Sequence, residues 1–168
     1  YAGVDPFGAS DQDLRRRAGD VGVAEANGLS RDDLLDLVLT HVIEPRLGHC
    51  QPTFIHDYPA SQASLARVRE GQPPKAERFE VFAEGLELAN GYHELTDPAE
   101  QRRRFENDLE KRRRAGLPEI PIDDRLLAAL EHGLPDCAGV ALGVDRLAML
   151  AAGTRALADV LAFPIDRA

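Results

Sequence analysis

Glu80, Glu87 and Glu94 recur seven residues apart in a stretch that alternates apolar and polar side chains. The segments 78–83 and 86–95 read as the two strands of a β-hairpin around Glu84-Gly85. A two-residue turn there sets Ala83 opposite Leu86 and Phe82 opposite Glu87, so Glu80 lies diagonally from Glu87 on the same face. Two carboxylates within reach of each other repel unless they are solvated, protonated or bridged by a cation. Hard oxygen donors of this kind suit Mg²⁺ shared with nucleotide phosphates. The same pattern also fits an acidic sheet face turned to solvent. Glu87 and Glu94 fall on opposite faces of an unbroken strand. If both serve one pocket, the strand must break parity between them, and Asn90-Gly91 is the expected place, because glycine inside a strand often marks a bulge.

A second cluster is Gly139-Val140-Ala141-Leu142-Gly143-Val144-Asp145-Arg146, read as a buried strand running into an apolar helix. Small residues at 139, 141 and 143 let a flat ligand lie close to the backbone. Arg146 falls in the first helical turn, where the helix dipole opposes a cation. An arginine there is expected to meet an anion or an aromatic plane, or else to pair with Asp136 or Asp145. The GxGxxG dinucleotide fingerprint is not matched.

Other candidates are weaker. His41, His49, His56, His93 and His132 lack metal-ligand spacing, and Cys50 and Cys137 form no CxxC. Ser61 and Ser64 have no nucleophile elbow around them. The runs Arg102 to Arg104 and Arg112 to Arg114 read as solvated sides of one helix, with an acidic partner or RNA as the alternative.

The elements that must position these residues can be drawn from pattern and punctuation. Ser10 caps a short helix over 11–18, and Gly19, Gly22 and Gly28 punctuate the segment after it. Ser30 caps a helix over 31–43 whose Leu34, Leu35, Val38, Leu39 and Val42 share one face, and Pro45 stops it. Residues 53–58 are β-branched and aromatic and read as a strand ended by Pro59. One or two helical turns are expected within 61–68, and a loop at 71–74. Asp97 and Pro98 open a charged helix to about 115, and another helix runs over 123–132. Thr154 is expected to cap a last helix to about 161. Strands mixed with helices, without βαβ regularity, predict an α+β fold with an antiparallel sheet flanked by helices.

The chain has 168 residues and a net charge of −9, which argues against a nonspecific nucleic-acid binder. Only Lys75 and Lys111 among its 20 basic residues are lysines. No apolar run approaches the ~20 residues of a membrane span, and a cytoplasmic address is the default expectation.

Together, the hairpin and the 139–146 segment resemble the C-terminal half of a class II aminoacyl-tRNA synthetase catalytic domain of the lysyl type. Phe79 to Phe82 and Glu87 to Asp97 are similar to that family's acidic hairpin, and Gly139 to Arg146 to its third signature motif. Residues 59–66, 76–81, 133–137 and the terminal Asp166-Arg167-Ala168 resemble more closely still the branch of lysyl-tRNA synthetase paralogues that acts on elongation factor P. The resemblance covers roughly residues 30–168, nearly without gaps. It divides the chain into a helical appendage, 1–50, and part of the catalytic domain, 51–168.

The resemblance implies roles residue by residue. Glu80 and Glu87 match carboxylates that hold Mg²⁺ and ATP phosphates, with Leu88 beside the nucleotide. Gly143 and Arg146 match ATP contacts, Arg146 as the catalytic arginine. Asn90 and Tyr92 match substrate-pocket positions, and Glu94 the carboxylate that pairs with the substrate's side-chain amine. Ala141 stands where lysyl-tRNA synthetases carry glycine, and its methyl would favour a β-amino acid over α-lysine. The implied activity is ATP-dependent activation of lysine or (R)-β-lysine as an adenylate. The acceptor would be elongation factor P or, alternatively, tRNA-Lys, and the intact protein a homodimer. A non-catalytic binding module is the remaining alternative, against which the intact charged residues speak. The family's first motif, at the dimer interface, and its second, with the α-phosphate arginine, match nothing in these residues. The chain, opening on Tyr1, is therefore expected to be a fragment and inactive alone.

Overall fold

A computed structural model of the chain describes residues 1–20 and 28–165. Gly22 and the terminal Asp166-Arg167-Ala168 lie outside the described residues. The fold is α+β, as the mixture of elements predicts: an antiparallel sheet in the order β1-β3-β4-β5, with β2 also paired to β3. The strands are β1 (Thr53–Pro59), β2 (Val68–Arg69), β3 (Lys75–Ala83), β4 (Leu86–His93) and β5 (Ala138–Leu142). The helices are α1 (Asp11–Gly19), α2 (Arg31–Val38), α3 (Pro98–Arg114), α4 (Asp124–His132) and α5 (Val144–Ala152).

The predicted hairpin is present in its predicted register. Ala83 faces Leu86 and Phe82 faces Glu87 across a turn in which Glu84 and Gly85 have φ of 53° and 73°. Two successive positive φ values match the turn to the twist of its strands. The preceding loop grips that turn: the Glu84 N–H donates to Gly48 O at 3.1 Å and the Gly85 N–H to Leu47 O at 2.9 Å. Gly48 has φ +75°, and a Cβ there would overlap the Ala83 Cα and lie 2.6 Å from Phe82 O. Gly48→Ala is therefore expected to cost about 2–4 kcal/mol, combining left-handed strain with backbone overlap. Urea denaturation measures it, and an unmoved midpoint would show that the grip contributes nothing.

Capping follows the sequence. The Ser10 hydroxyl accepts from Asp13 N–H, and Ser30 and Asp33 form a reciprocal capping box. Leu14, Ala18, Leu34 and Leu35 then pack α1 against α2.

Several expectations are corrected. The helix expected over 31–43 is α-helical only to Val38. Leu39–Ile43 widens to a π turn, in which the Glu44 N–H donates to Leu39 O, and Glu44–Arg46 tightens to 3₁₀. Pro45 lacks an N–H and its ring would strike the carbonyl four residues back, so the ladder is re-spaced before it. Of the one or two helical turns expected within 61–68, one forms, the 3₁₀ turn Ala60–Gln62 that overlaps its start; Ser64 then has φ 51°, and Val68–Arg69 is β2. The helix expected after Thr154 is a single 3₁₀ turn, Leu157–Asp159. There the Thr154 hydroxyl accepts from Ala156 N–H and donates to Asp159, a local arrangement that competes with a helix. Finally, β5 is not buried. Val140 is 61% and Leu142 50% exposed, since no described element covers their side chains, and β5 pairs, among the described residues, only with β4.

α3 carries the arginine runs, capped by the Asp97 carboxylate on Ala99 and Glu100 N–H. Arg104 is not on a solvated side: its Nη1 donates to Ser64 O at 2.9 Å and Ala66 O at 2.8 Å, tying α3 to the segment before β2. Among the described residues no helix is long and apolar enough to cross a membrane.

Candidate active site

The strand breaks parity, but not at Asn90-Gly91. Phe82 faces Glu87 and Val81 faces Ala89, so the β3–β4 register skips Leu88. From Ala89 to His93 the ladder to β5 is unbroken, with Asn90 opposite Ala141 and Tyr92 opposite Gly139. A bulge at Asn90-Gly91 would disrupt the ladders to both neighbours. At Leu88 it disrupts one, because pairing to β5 stops at Ala89. The Leu88 carbonyl is not wasted, since it accepts from Gly143 N–H at 2.8 Å. Gly91 answers to packing instead. A Cβ there would overlap the Phe79 ring and lie 2.9 Å from Gly139 O.

The extra residue turns the sequence-predicted side chains to one face. Arg78, opposite Tyr92, and Glu80, opposite Asn90, share the face of Phe82 and hence of Glu87. Ala141 joins them through Asn90. Glu94 lies just beyond β4, its N–H on Cys137 O at 3.0 Å. Its Oε1 sits over Gly139, where a Cβ would overlap it. The seven-residue spacing thus sets Glu80, Glu87 and Glu94 on one face only because Leu88 is bulged.

Their surroundings differ. Glu80 is 6% exposed, which ends the reading of a wholly solvent-facing acidic face. Its Oε1 accepts from Arg78 Nη2 and from Asn90 Nδ2 at 3.2 Å. Glu87 is half-buried and pairs with Arg146, whose Nη1 donates to Glu87 O at 2.7 Å and to its Oε2 at 3.3 Å. Arg146 thus meets an anion, as its place in the helix predicts, but the anion is neither Asp136 nor Asp145. The Glu94 carboxylate has no hydrogen-bond or ion-pair partner among the described residues.

Glu44 is a neighbour that the sequence does not reveal. Burial pushes its carboxyl up, and the charges of Glu80 and then Glu87 push it further. Burial, with the nearby Glu80 carboxylate next, likewise pushes up the Tyr58 phenol. No spacing rule connects Glu44 to the hairpin, since it arrives through the 3₁₀ turn after α2.

Among the described residues no group of three or more His, Cys, Asp or Glu side chains could hold an ion. His93 serves as a clamp: Nδ1 lies 2.9 Å from Glu77 Oε2 and Nε2 2.5 Å from Asp136 Oδ1. A cavity of about 530 Å³ lies beside His93, Glu77 and Asp136, and one of about 360 Å³ lies between the residues before α1, α2 and β1. Neither includes Glu80, Glu87, Glu94 or Arg146, but Arg78 and Tyr92 of the face line the first.

An antiparallel sheet with an acidic hairpin, joined to a strand that delivers an arginine onto that hairpin from the next helix, describes a class of enzyme fold. Residues 27–167 match the family model of the class II tRNA synthetases (D, K and N), and the chain belongs to that family. Its similar proteins are more particular. An elongation factor P–(R)-β-lysine ligase of Edwardsiella ictaluri is 53% identical over 167 residues, 98% of this chain and 51% of that protein. Ligases of the same name from Salmonella arizonae and Salmonella enteritidis PT4 match with the same identity and coverage. The chain spans about half the length of these relatives.

Proposed function

We propose that this chain provides the acidic hairpin and the ATP-binding arginine of a ligase that activates (R)-β-lysine or lysine as an adenylate and passes it to elongation factor P. The observation that carries the reading is the Leu88 bulge. It puts Glu87, beside Arg146, and Glu94, over Gly139, on one face with Asn90 and Ala141 between them. Residues 51–168 form the catalytic part in this reading and 1–50 the helical part packed beside it.

Adenylation requires a carboxylate to attack the α-phosphate of ATP while pyrophosphate leaves. Arg146 would turn from Glu87 to the triphosphate and offset its charge. Glu80 and Glu87 fit Mg²⁺ in donor type, as hard oxygens. Glu80 has Oε1 committed to Arg78 and Asn90 and the Tyr58 phenol beside its carboxylate, so Oε2 is the oxygen it could offer the ion. Bound there, Mg²⁺ would neutralise phosphate charge. Leu88 and Gly143, joined by their backbone bond, would flank the nucleotide. Tyr92, Asn90 and Ala141 would shape the amino-acid pocket, with Glu94 reading the side-chain amine.

The test is ATP–pyrophosphate exchange by the protein that carries this chain, with lysine and with (R)-β-lysine, in wild type and Ala141→Gly. The wild type is expected to exchange with (R)-β-lysine in preference. The variant, relieved of one methyl, is expected to gain α-lysine use by roughly 10–200-fold in kcat/KM. No exchange with either amino acid would overturn the reading. An unchanged preference would show that Ala141 only packs its strand.

A further inference from the structure

Arg78 is the most heavily committed side chain on the candidate face. It is 19% exposed, and the Glu80 side chain it meets is 8% exposed. Its Nη2 holds Glu80 Oε1, its Nε donates to Asn90 Oδ1 at 3.4 Å, and its Nη1 donates to Gln62 O at 3.2 Å. The guanidinium carbon lies 4.5 Å from the centre of the Tyr58 ring and 6.0 Å from that of Tyr92. The triangle closes through Asn90, whose Nδ2 donates to the same Glu80 oxygen at 3.2 Å.

This arrangement decides two orientations at once. A primary amide can turn end for end, but Arg78 offers only donors and Glu80 only acceptors. Asn90 must therefore point Oδ1 at Arg78 and Nδ2 at Glu80. Glu80 must keep Oε1 for both, and its carboxylate also lies beside the Tyr58 phenol. The guanidinium is held from the far side as well. Gln62 donates to Asp36 Oδ1 at 2.7 Å and Ser61 to Asp32 Oδ1 at 2.6 Å, so the 3₁₀ turn that carries the Gln62 carbonyl is pinned to α2.

We infer that Arg78 is the positioning residue that couples the nucleotide side of the face, through Glu80, to the amino-acid side, through Asn90. The inference rests on the proposed reading of the face. It adds a residue that touches neither substrate and sets the geometry of two that do. Only a planar fork of donors serves here. A lysine would keep a charged bond to Glu80, but one ammonium on a flexible stem cannot also hold Asn90 and Gln62 or stack on Tyr58.

The prediction is a split. In the full protein, Arg78→Lys is expected to raise the amino-acid KM at least tenfold. The Kd of a non-hydrolysable ATP analogue with Mg²⁺, measured by calorimetry, stays within about threefold. Adding Asn90→Ala to Arg78→Lys is expected to raise KM no further than Asn90→Ala alone. Tyr58→Leu removes the ring beneath the guanidinium together with the hydroxyl beside Glu80, Tyr58→Phe removes the hydroxyl alone, and both keep every charge; the split is expected, more weakly, in Tyr58→Leu and not in Tyr58→Phe, and the pair decides the matter if Arg78→Lys does not fold. An unchanged amino-acid KM, or losses that multiply with those of Asn90→Ala, would overturn the coupling. A wild type that fails to bind the analogue would instead sink the nucleotide reading on which it rests.

Discussion

Glu94→Ala in the full protein is expected to abolish amino-acid-dependent ATP–pyrophosphate exchange while leaving nucleotide binding as it was. The three glutamates differ in what already holds them. Glu80 is committed to Arg78 and Asn90, and Glu87 to Arg146. The Glu94 carboxylate lies over Gly139 with no partner of its own among the described residues. Removing it therefore breaks nothing internal, and the protein is expected to melt within a degree or two of wild type. What it removes is the anion for the substrate's ammonium. Leaving that charge enclosed and unpaired costs on the order of 3–5 kcal/mol, or about 10²–10³-fold or more in kcat/KM. Exchange kinetics and calorimetry with an ATP analogue check both halves. Full exchange by Glu94→Ala would show that the amine is read elsewhere, and joint loss of nucleotide binding would show that Glu94 supports the sheet.

How much of this face is legible in the sequence is a matter of range. The register of the hairpin is legible because a two-residue turn leaves no slack: once Glu84-Gly85 is the turn, Phe82 meets Glu87. The need for a parity break is legible too, because strand period is a local rule. Its place is not. Whether a bulge disrupts one ladder or two depends on where β5 stops pairing, and that is a tertiary fact with no trace in Leu88 itself. The same limit explains β5. The segment Ala138–Leu142 has the small apolar composition of a buried strand, but composition states what a strand tolerates and not what covers it. Pro45 reads as a stop, but the α-helix already ends at Val38 and the re-spaced turns run through Pro45, an effect that does not show in the pattern. Arg146 reads as seeking an anion. That the anion is Glu87 joins two clusters 59 positions apart, which spacing alone does not show. Glu44 and Arg78 leave no signal, since each matters through what the fold brings beside it.

Gly139→Ala is expected to reproduce much of the Glu94→Ala defect without touching Glu94. Gly139 lies opposite Tyr92 in the β4–β5 ladder, and its missing Cβ is the space that Glu94 Oε1 occupies. The obstacle a new methyl would meet is the far end of a flexible side chain, not backbone. The strand can therefore keep its ladder while the carboxylate swings to another rotamer, and the stability cost stays within about 1 kcal/mol. Gly48 makes the contrast, because there the overlap is with the backbone of Ala83 and the strain falls on the fold. Displacing a charge-reading group by an ångström or so typically costs ~10²-fold, so the amino-acid kcat/KM is expected to fall by about 10–10²-fold, most of it in KM. Binding of the ATP analogue is expected to be unchanged, since Glu80, Glu87 and Arg146 lie toward the other end of the face. A normal amino-acid KM in Gly139→Ala would mean that Glu94 does its work from a different rotamer. Loss of nucleotide binding alongside it would mean that the methyl disrupts β5. A selective amino-acid defect with an unmoved melting temperature would identify Gly139 as the residue whose lack of a side chain holds the amine-reading carboxylate in place.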